Sequence, residues 1–169
     1  MFGEPWSASE TPMEQEALPA LKKNIDRLNP QVGFFCDDTR DAIKGHTFEG
    51  GTPGFVNGGK GQEGAILSSV KAWCGPGSKV QAPSQVVTYV SAHDNWTLWD
   101  KLSLTVEDEA ERMRANRMAA AVYMTCRAGF SSFPGKKRPA TKGGLEIPTT
   151  LRLRSTVSNW NRMYEQYDW

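Results

Sequence analysis

The sequence predicts an α/β fold built on parallel strands, and three observations point to it. Residues 86–91 form a short apolar run rich in β-branched side chains, which is typical of a strand buried on both faces. Polar residues follow that run at His93, Asp94 and Asn95. A long helical pattern comes next, and strand, polar loop and helix in this order are typical of α/β proteins.

The remaining elements follow from hydrophobic periodicity and from turn residues. In chain order we predict the end of a buried strand within residues 1–6 and a helix over 13–28 that Pro19 interrupts. A strand over 31–36 and helical turns over 37–44 follow. Next come a glycine-rich loop over 45–64 and a helix over 64–73 that ends at the glycines of 75–77. Thr105 and Asp108 have the spacing of a helix start, which predicts a helix over 106–126.

Composition narrows the class of protein. A chain of 169 residues with 38% hydrophobic and 23% charged residues suits one soluble globular domain. A net charge of +1 gives no reason to expect nucleic acid or an anionic membrane as a partner. No run approaches the ~18 apolar residues of a membrane span and no leader opens the chain, so the chain as printed is expected in the cytoplasm.

The cysteines and histidines show no metal-binding pattern. Cys36, Cys74 and Cys126 stand far apart without a C-x-x-C spacing, which argues against a disulfide framework and a zinc site. His46 and His93 belong to no paired motif. We therefore predict no structural metal.

Glu4 and Asp94 are the carboxylates best placed for catalysis, because each follows a predicted strand and reactive groups of parallel barrels stand at the carboxyl ends of strands. Cleaving a glycosidic bond needs one carboxyl group to protonate the leaving oxygen and a second to attack or stabilise the cationic sugar. Trp6 could supply the aromatic ring that raises the pKa of a proton-donating glutamate. The alternatives are a surface acid at Glu4 and a polar turn that caps the next helix at Asp94.

A nucleotide-binding loop is a further alternative. Residues 54–60 match G-x-x-x-x-G-K, the pattern that cradles phosphate groups. Gly61, however, stands where a serine or threonine should bind magnesium, and no clear strand precedes the loop. The pattern alone therefore gives little support to nucleotide binding.

Several segments together resemble type I pullulanases, which are debranching enzymes of the α-amylase superfamily. The most specific match is VTYVSAHDNWTLWDKL at residues 87–102. GEPW at 3–6 resembles the family segment with the acid/base glutamate, and the other matching segments are FFCDDTRDAIKG at 34–45, FEGGTPGFVNG at 48–58 and RMRANRMAAAVYMTC at 112–126. The resemblance runs over about residues 1–126 and resumes at 141–144 and 159–169.

The resemblance implies a partial (β/α)8 barrel, comprising about strands 5 to 8 of the TIM-barrel fold. It implies a retaining hydrolase that acts on α-1,6 links in pullulan, glycogen or starch, with Glu4 as general acid/base and Asp94 as stabiliser of the transition state. Substrate binding would fall to His93, Asn95, Trp6 and Trp96, although packing under the loop is the alternative for Trp96. The family's chemistry requires no cofactor, and calcium is sometimes bound.

Two departures from the family pattern bear on function. The family's nucleophilic aspartate lies upstream of the acid/base segment, so a polypeptide of these 169 residues alone is expected to be inert. A neighbouring polypeptide could supply the missing half, and a non-catalytic glucan-binding remnant is the alternative. Residues 127–140 and 147–158 do not resemble the family, and we predict that compensating frameshifts in the gene produced both stretches.

Overall fold

Four short parallel strands form one sheet in the computed structural model, which describes residues 1–6, 18–92 and 94–130. The strands are β1 (Phe2–Gly3), β2 (Gly33–Phe35), β3 (Val86–Thr88) and β4 (Gly129–Phe130). They pair in chain order, each parallel to the next, so every connection between them is a crossover. All described residues belong to one compact unit, Met1–Phe133. The prediction of an α/β fold on parallel strands is confirmed.

The strands lie where hydrophobic patterning placed them, with one addition. β1, β2 and β3 fall within the segments predicted at 1–6, 31–36 and 86–91, and all three residues of β3 are buried. The prediction that the first of these strands is buried is wrong, because Phe2 in β1 is exposed. β4 lies in the stretch 127–140, for which no element was predicted. The rest of that stretch from residue 131, and residues 147–158, lie outside the described residues, so the frameshift prediction stays a prediction.

Two short helices connect β2 to β3. Helix α1 (Asp37–Lys44) begins almost directly after β2, with Asp37 and Asp38 in its first turn, where carboxylates favour the helix dipole. Helix α2 (Glu63–Val70) stops several residues before the predicted glycines. It stops there because the chain turns into the left-handed region at Ala72 and Trp73, with φ of 54° and 57°.

Two helices, not one, connect β3 to β4. Helix α3 (Leu98–Thr105) follows the loop after β3, and helix α4 (Glu109–Thr125) follows after three residues. The predicted start of α4 at Thr105 is wrong because Asp108 is itself the cap: its Oδ1 accepts the backbone N–H of Glu111 at 2.8 Å. No helix of the described ranges is both long and apolar enough to cross a membrane.

The predicted helix over 13–28 is only partly covered by the structure. Residues 13–17 lie outside the described residues, and Lys22–Arg27 forms a 3-10 helix. The segment is therefore helical over part of the predicted range, but as a short 3-10 helix, and the residues at its start explain the short length. Pro19 precedes it, and the capping position, Leu21, has no side chain that accepts a hydrogen bond.

The core lies between the sheet and the helices. One cluster joins α1, α3 and α4 to the segment just after β3, and it contains the buried residues Ile43, Val56, Val90, Leu98, Leu102, Ala115, Ala119 and Tyr123. A second cluster contains Val86, Ala72, Cys126 and Ala128. Val86 and Val90 therefore face the helices, and Val87 and Tyr89, at alternate positions, face the other side of the sheet.

Candidate active site

The candidate catalytic carboxylates follow strands of the same parallel sheet. Glu4 comes directly after β1, and Asp94 lies in the loop between β3 and α3. Because the strands are parallel, their carboxyl ends meet at one edge of the sheet, and both residues follow that edge. Both side chains are exposed, and Trp6 is 42% exposed.

The segment that carries Asp94 is fixed by hydrogen bonds; we call residues 94–97 the Asp94 loop. Asn95 Nδ2 donates to Asp94 Oδ1 at 2.9 Å, and Asn95 Oδ1 accepts from Lys44 Nζ at 3.1 Å. The carbonyl of Trp96 also accepts from Lys44 Nζ, at 2.5 Å. Thr97 then caps α3 by accepting the N–H of Asp100 at 3.2 Å. His93, the other predicted sugar-binding residue, lies outside the described residues.

Lys44 is a functional candidate that the sequence analysis missed. It is the last residue of α1, and its side chain is fully buried. Burial lowers the pKa of its ammonium to about 7, and the nearby positive charge of Arg40 adds to this effect. In the sequence, Lys44 stands out only as a lysine near the end of the family-like segment 34–45. Nothing in that segment indicates that its side chain contacts Asn95 and Trp96.

A second missed group lies where α1 meets the end of β3. Arg40 Nη1 donates to the hydroxyl of Tyr89 at 2.6 Å and to Asp37 Oδ1 at 3.0 Å. The Tyr89 hydroxyl donates to the same Asp37 oxygen at 2.6 Å. Burial, together with the bond to Asp37, raises the pKa of Tyr89, so the phenol stays protonated. The spacing of Asp37 and Arg40, one helical turn apart after a strand, was the available signal.

An aromatic row crosses three strands beside these groups. The ring centroids of Phe2 and Phe35 lie 5.8 Å apart, and those of Phe35 and Tyr89 lie 5.2 Å apart, both with edge-to-face geometry. The row lies on the face of the sheet opposite the two core clusters. Phe2 is 64% exposed, so this face includes apolar surface next to Glu4.

The glycine-rich loop packs against the end of α1 and does not have the context of a phosphate-binding loop. A Cβ at Gly54 would lie 2.2 Å from the backbone nitrogen of Gly45, so glycine is required by close packing of two backbone segments. Helix α1 precedes this loop, whereas a phosphate-binding loop follows a strand. The structure therefore does not support the nucleotide-binding alternative.

A cleft of about 540 Å³ lies beside this loop. It is lined by Asp38, Asp41, His46, Gln62 and Trp73 among others, and neither Glu4 nor Asp94 contributes to it. The cleft is thus separate from the candidate catalytic residues.

In the part of the chain that the structure describes, no three His, Cys, Asp or Glu side chains are grouped closely enough to hold a metal ion.

Comparison with known proteins identifies the class. No protein-family model matches the chain. The pullulanase of Bacillus subtilis (strain 168) is 34% identical over 167 residues, which cover 96% of this chain and 23% of that protein. The crystal structure of type I pullulanase from the same organism, complexed with maltose, superposes with a TM-score of 0.69 at 31% identity, over 79% of this chain and 19% of the other.

A further similar structure is that of the pullulanase from Paenibacillus barengoltzii in complex with maltohexaose and α-cyclodextrin. It superposes with a TM-score of 0.67 at 36% identity, over 78% of this chain and 21% of that chain. The chain is therefore related to glycoside hydrolases, in which two carboxyl groups cleave a sugar bond. Among these its relatives are the type I pullulanases, and it spans less than a quarter of their length.

Proposed function

We propose that this chain is part of a retaining hydrolase that cleaves α-1,6-glucosidic bonds in pullulan, glycogen or starch. The observation that carries the proposal is the match to pullulanase along 96% of the chain. The order of strands supports it, because Glu4 and the Asp94 loop follow β1 and β3 at one edge of a parallel sheet. We further propose that the sheet corresponds to about strands 5 to 8 of a (β/α)8 barrel.

Each predicted site residue has a role in this reaction. Glu4 protonates the glycosidic oxygen as the bond breaks and then, as a base, activates water. Asp94 stabilises the developing positive charge of the sugar electrostatically. Glucose rings are held by hydrogen bonds and stacking from His93, Asn95, Trp6 and Trp96. The reaction needs no cofactor, and we propose none for the chemistry.

A retaining reaction also needs a carboxylate nucleophile, and the resemblance assigns that role to none of these 169 residues. The polypeptide alone is therefore proposed to be inert. Activity would require a polypeptide that supplies the preceding strands and the nucleophile.

A chimeric enzyme tests the proposal. Residues 1–126 replace the matching segment of the Bacillus subtilis pullulanase, and reducing sugar released from pullulan is measured. The chimera is expected to be active, and Glu4→Gln or Asp94→Asn is expected to lower kcat by about 10²–10⁴-fold. Asp26→Asn, an exposed carboxylate on the 3-10 helix, is the matched control and should leave kcat unchanged. Full activity of both site variants would contradict the proposal.

The alternative is a glucan-binding remnant without catalysis. The exposed ring of Trp6 and the exposed apolar face at Phe2 favour it, because such surfaces stack on sugars. Titration calorimetry of the 169-residue chain with maltohexaose separates the two functions. Binding that Trp6→Ala abolishes, together with an inactive chimera, would support the remnant.

A further inference from the structure

We propose that Lys44 is a positioning residue that holds the Asp94 loop in its working conformation, an inference that rests on the proposed function of Asp94. Lys44 is the last residue of α1, and the Asp94 loop follows β3. Lys44 and the loop are 50 or more residues apart in the sequence. Lys44 Nζ nevertheless lies within 3.1 Å of Asn95 Oδ1 and 2.5 Å of the Trp96 carbonyl. The side chain thus joins two separate crossovers.

The contact is transmitted to the carboxylate of Asp94 by Asn95. An ammonium group only donates hydrogen bonds, so the amide oxygen of Asn95 must face Lys44. The amide nitrogen must then face the other way, and it donates to Asp94 Oδ1 at 2.9 Å. Lys44 therefore fixes the orientation of Asn95, and Asn95 fixes one oxygen of Asp94.

The environment of Lys44 is unusual for a lysine that only fills space. None of the ion pairs within the described residues joins it to a carboxylate. The charged groups around it are Arg40 and Asp41 on α1 and Asp100 and Lys101 on α3. A buried amine without an ion-pair partner costs stability, and methionine would fill the same volume without that cost. A requirement for the donor at Asn95 and Trp96 explains why a lysine is present.

Lys101 provides an internal comparison. It is also fully buried, and its Nζ donates to the carbonyls of His46 and Glu49 in the glycine-rich loop. Those bonds hold a different segment, and none of them reaches the Asp94 loop. Lys101→Met therefore removes a buried amine of the same kind without removing the contact proposed to matter.

The protonation state of Lys44 can be changed by pH, and a response of the Asp94 loop to that change would not be expected if Lys44 only filled space. Charged donors make stronger hydrogen bonds than neutral ones, so the hold on Trp96 weakens as the amine loses its proton. Since burial lowers the pKa to about 7, this change falls in a range where the protein can be studied. A spectroscopic signal from the Trp96 side chain should therefore change with pH as Lys44 loses its proton.

The experiment uses ¹⁹F NMR of the 169-residue chain labelled with 5-fluorotryptophan, with the Trp96 signal assigned by Trp96→Phe. A His93→Gln background removes the histidine that precedes Asp94 in the sequence, because the unperturbed pKa of a histidine side chain, ~6.5, is close to the expected midpoint. The Trp96 signal is expected to titrate with a midpoint near the pKa of about 7. Lys44→Met should abolish this titration, Lys101→Met should preserve it, and Lys44→Arg should hold the signal at its low-pH position throughout.

Two results of the NMR experiment overturn the proposal: a Trp96 titration that persists in Lys44→Met, or one that persists in Lys44→Arg if the methionine variant does not fold. In the chimera, Lys44→Met should lower kcat about 10- to 100-fold and change KM little, because a displaced loop misplaces Asp94. An unchanged kcat of the Lys44→Met chimera also overturns the proposed positioning role of Lys44. If instead Asp94→Asn leaves the chimera fully active, the role proposed for Asp94 fails, while the ¹⁹F result still reports on the contact between Lys44 and the Asp94 loop.

Discussion

At the scale of single residues, the buried amines of Lys44 and Lys101 connect helices to loops at the cost of desolvating two charges. Burial lowers the pKa of both groups, to about 7 for Lys44. The sequence could not reveal this, because a lysine is usually exposed and its partners here lie 51 to 55 residues away. Glu4, Trp6 and the Asp94 segment, in contrast, could be proposed from the sequence, because the patterns that indicate them lie within short segments.

The lowered pKa of Lys44 predicts a dependence of stability on pH. The usual lysine value is 10.5, so above pH about 7 the unfolded state binds a proton that the folded state has lost. The free energy of unfolding should therefore rise between pH 7 and 8.5, with a slope of at most about 1.4 kcal/mol per pH unit from this residue. Below pH 7 both states hold the proton and the burial penalty is present in full.

Urea unfolding of the chain at pH 6, 7.5 and 8.5 measures this slope. Lys44→Met should be less dependent on pH in this window than the parent chain. Above pH about 9 the rise should weaken, because burial raises the pKa of Cys36 and of Tyr89, and the folded state then keeps protons on these two groups that the unfolded state loses. An identical slope in Lys44→Met and the parent would show that Lys44 is not the titrating group.

At the scale of elements, strands and α1 were predictable, and the ends of helices were not. β2 and β3 are short apolar runs, and the burial of all three residues of β3 matches the apolar composition that predicted this strand. Helix α3 has eight residues, as α1 and α2 do, and it was missed because it follows the Asp94 loop directly. The end of α2 was misplaced because it turns at Ala72 and Trp73, which are not residues that ordinarily adopt positive φ.

The packing of the glycine-rich loop on α1 gives a prediction at this scale. Gly54→Ala should destabilise the fold by about 3 kcal/mol or more, because the added Cβ would meet the backbone of Gly45 and Ile43. Gly51→Ala is the matched control in the same loop, since a Cβ there has no atom within 4 Å. Its stability should stay within about 0.5 kcal/mol of the parent in thermal unfolding. Equal effects of the two substitutions would contradict the close approach.

At the scale of the whole described unit, contacts between crossovers build the edge where the candidate site lies. Lys44 reaches from α1 to the Asp94 loop, and Arg40 reaches from α1 to Tyr89 beyond β3. The β-branched residues of β3 and the family-like segments made the α/β architecture predictable. The contacts of Lys44 and Arg40 depend on how the two crossovers pack against each other, and the sequence of one segment does not show that packing.

The central claim is that Glu4 and Asp94 act on one sugar bond. A crystal structure of the chimera, with Glu4→Gln to prevent turnover and a branched maltooligosaccharide bound, tests it most directly. The account predicts that the amide introduced by Glu4→Gln and the Asp94 carboxylate lie within hydrogen-bond distance of glucose units on either side of one α-1,6 link. Side chains of residues 4 and 94 on opposite surfaces, with the sugar bound elsewhere, would contradict it.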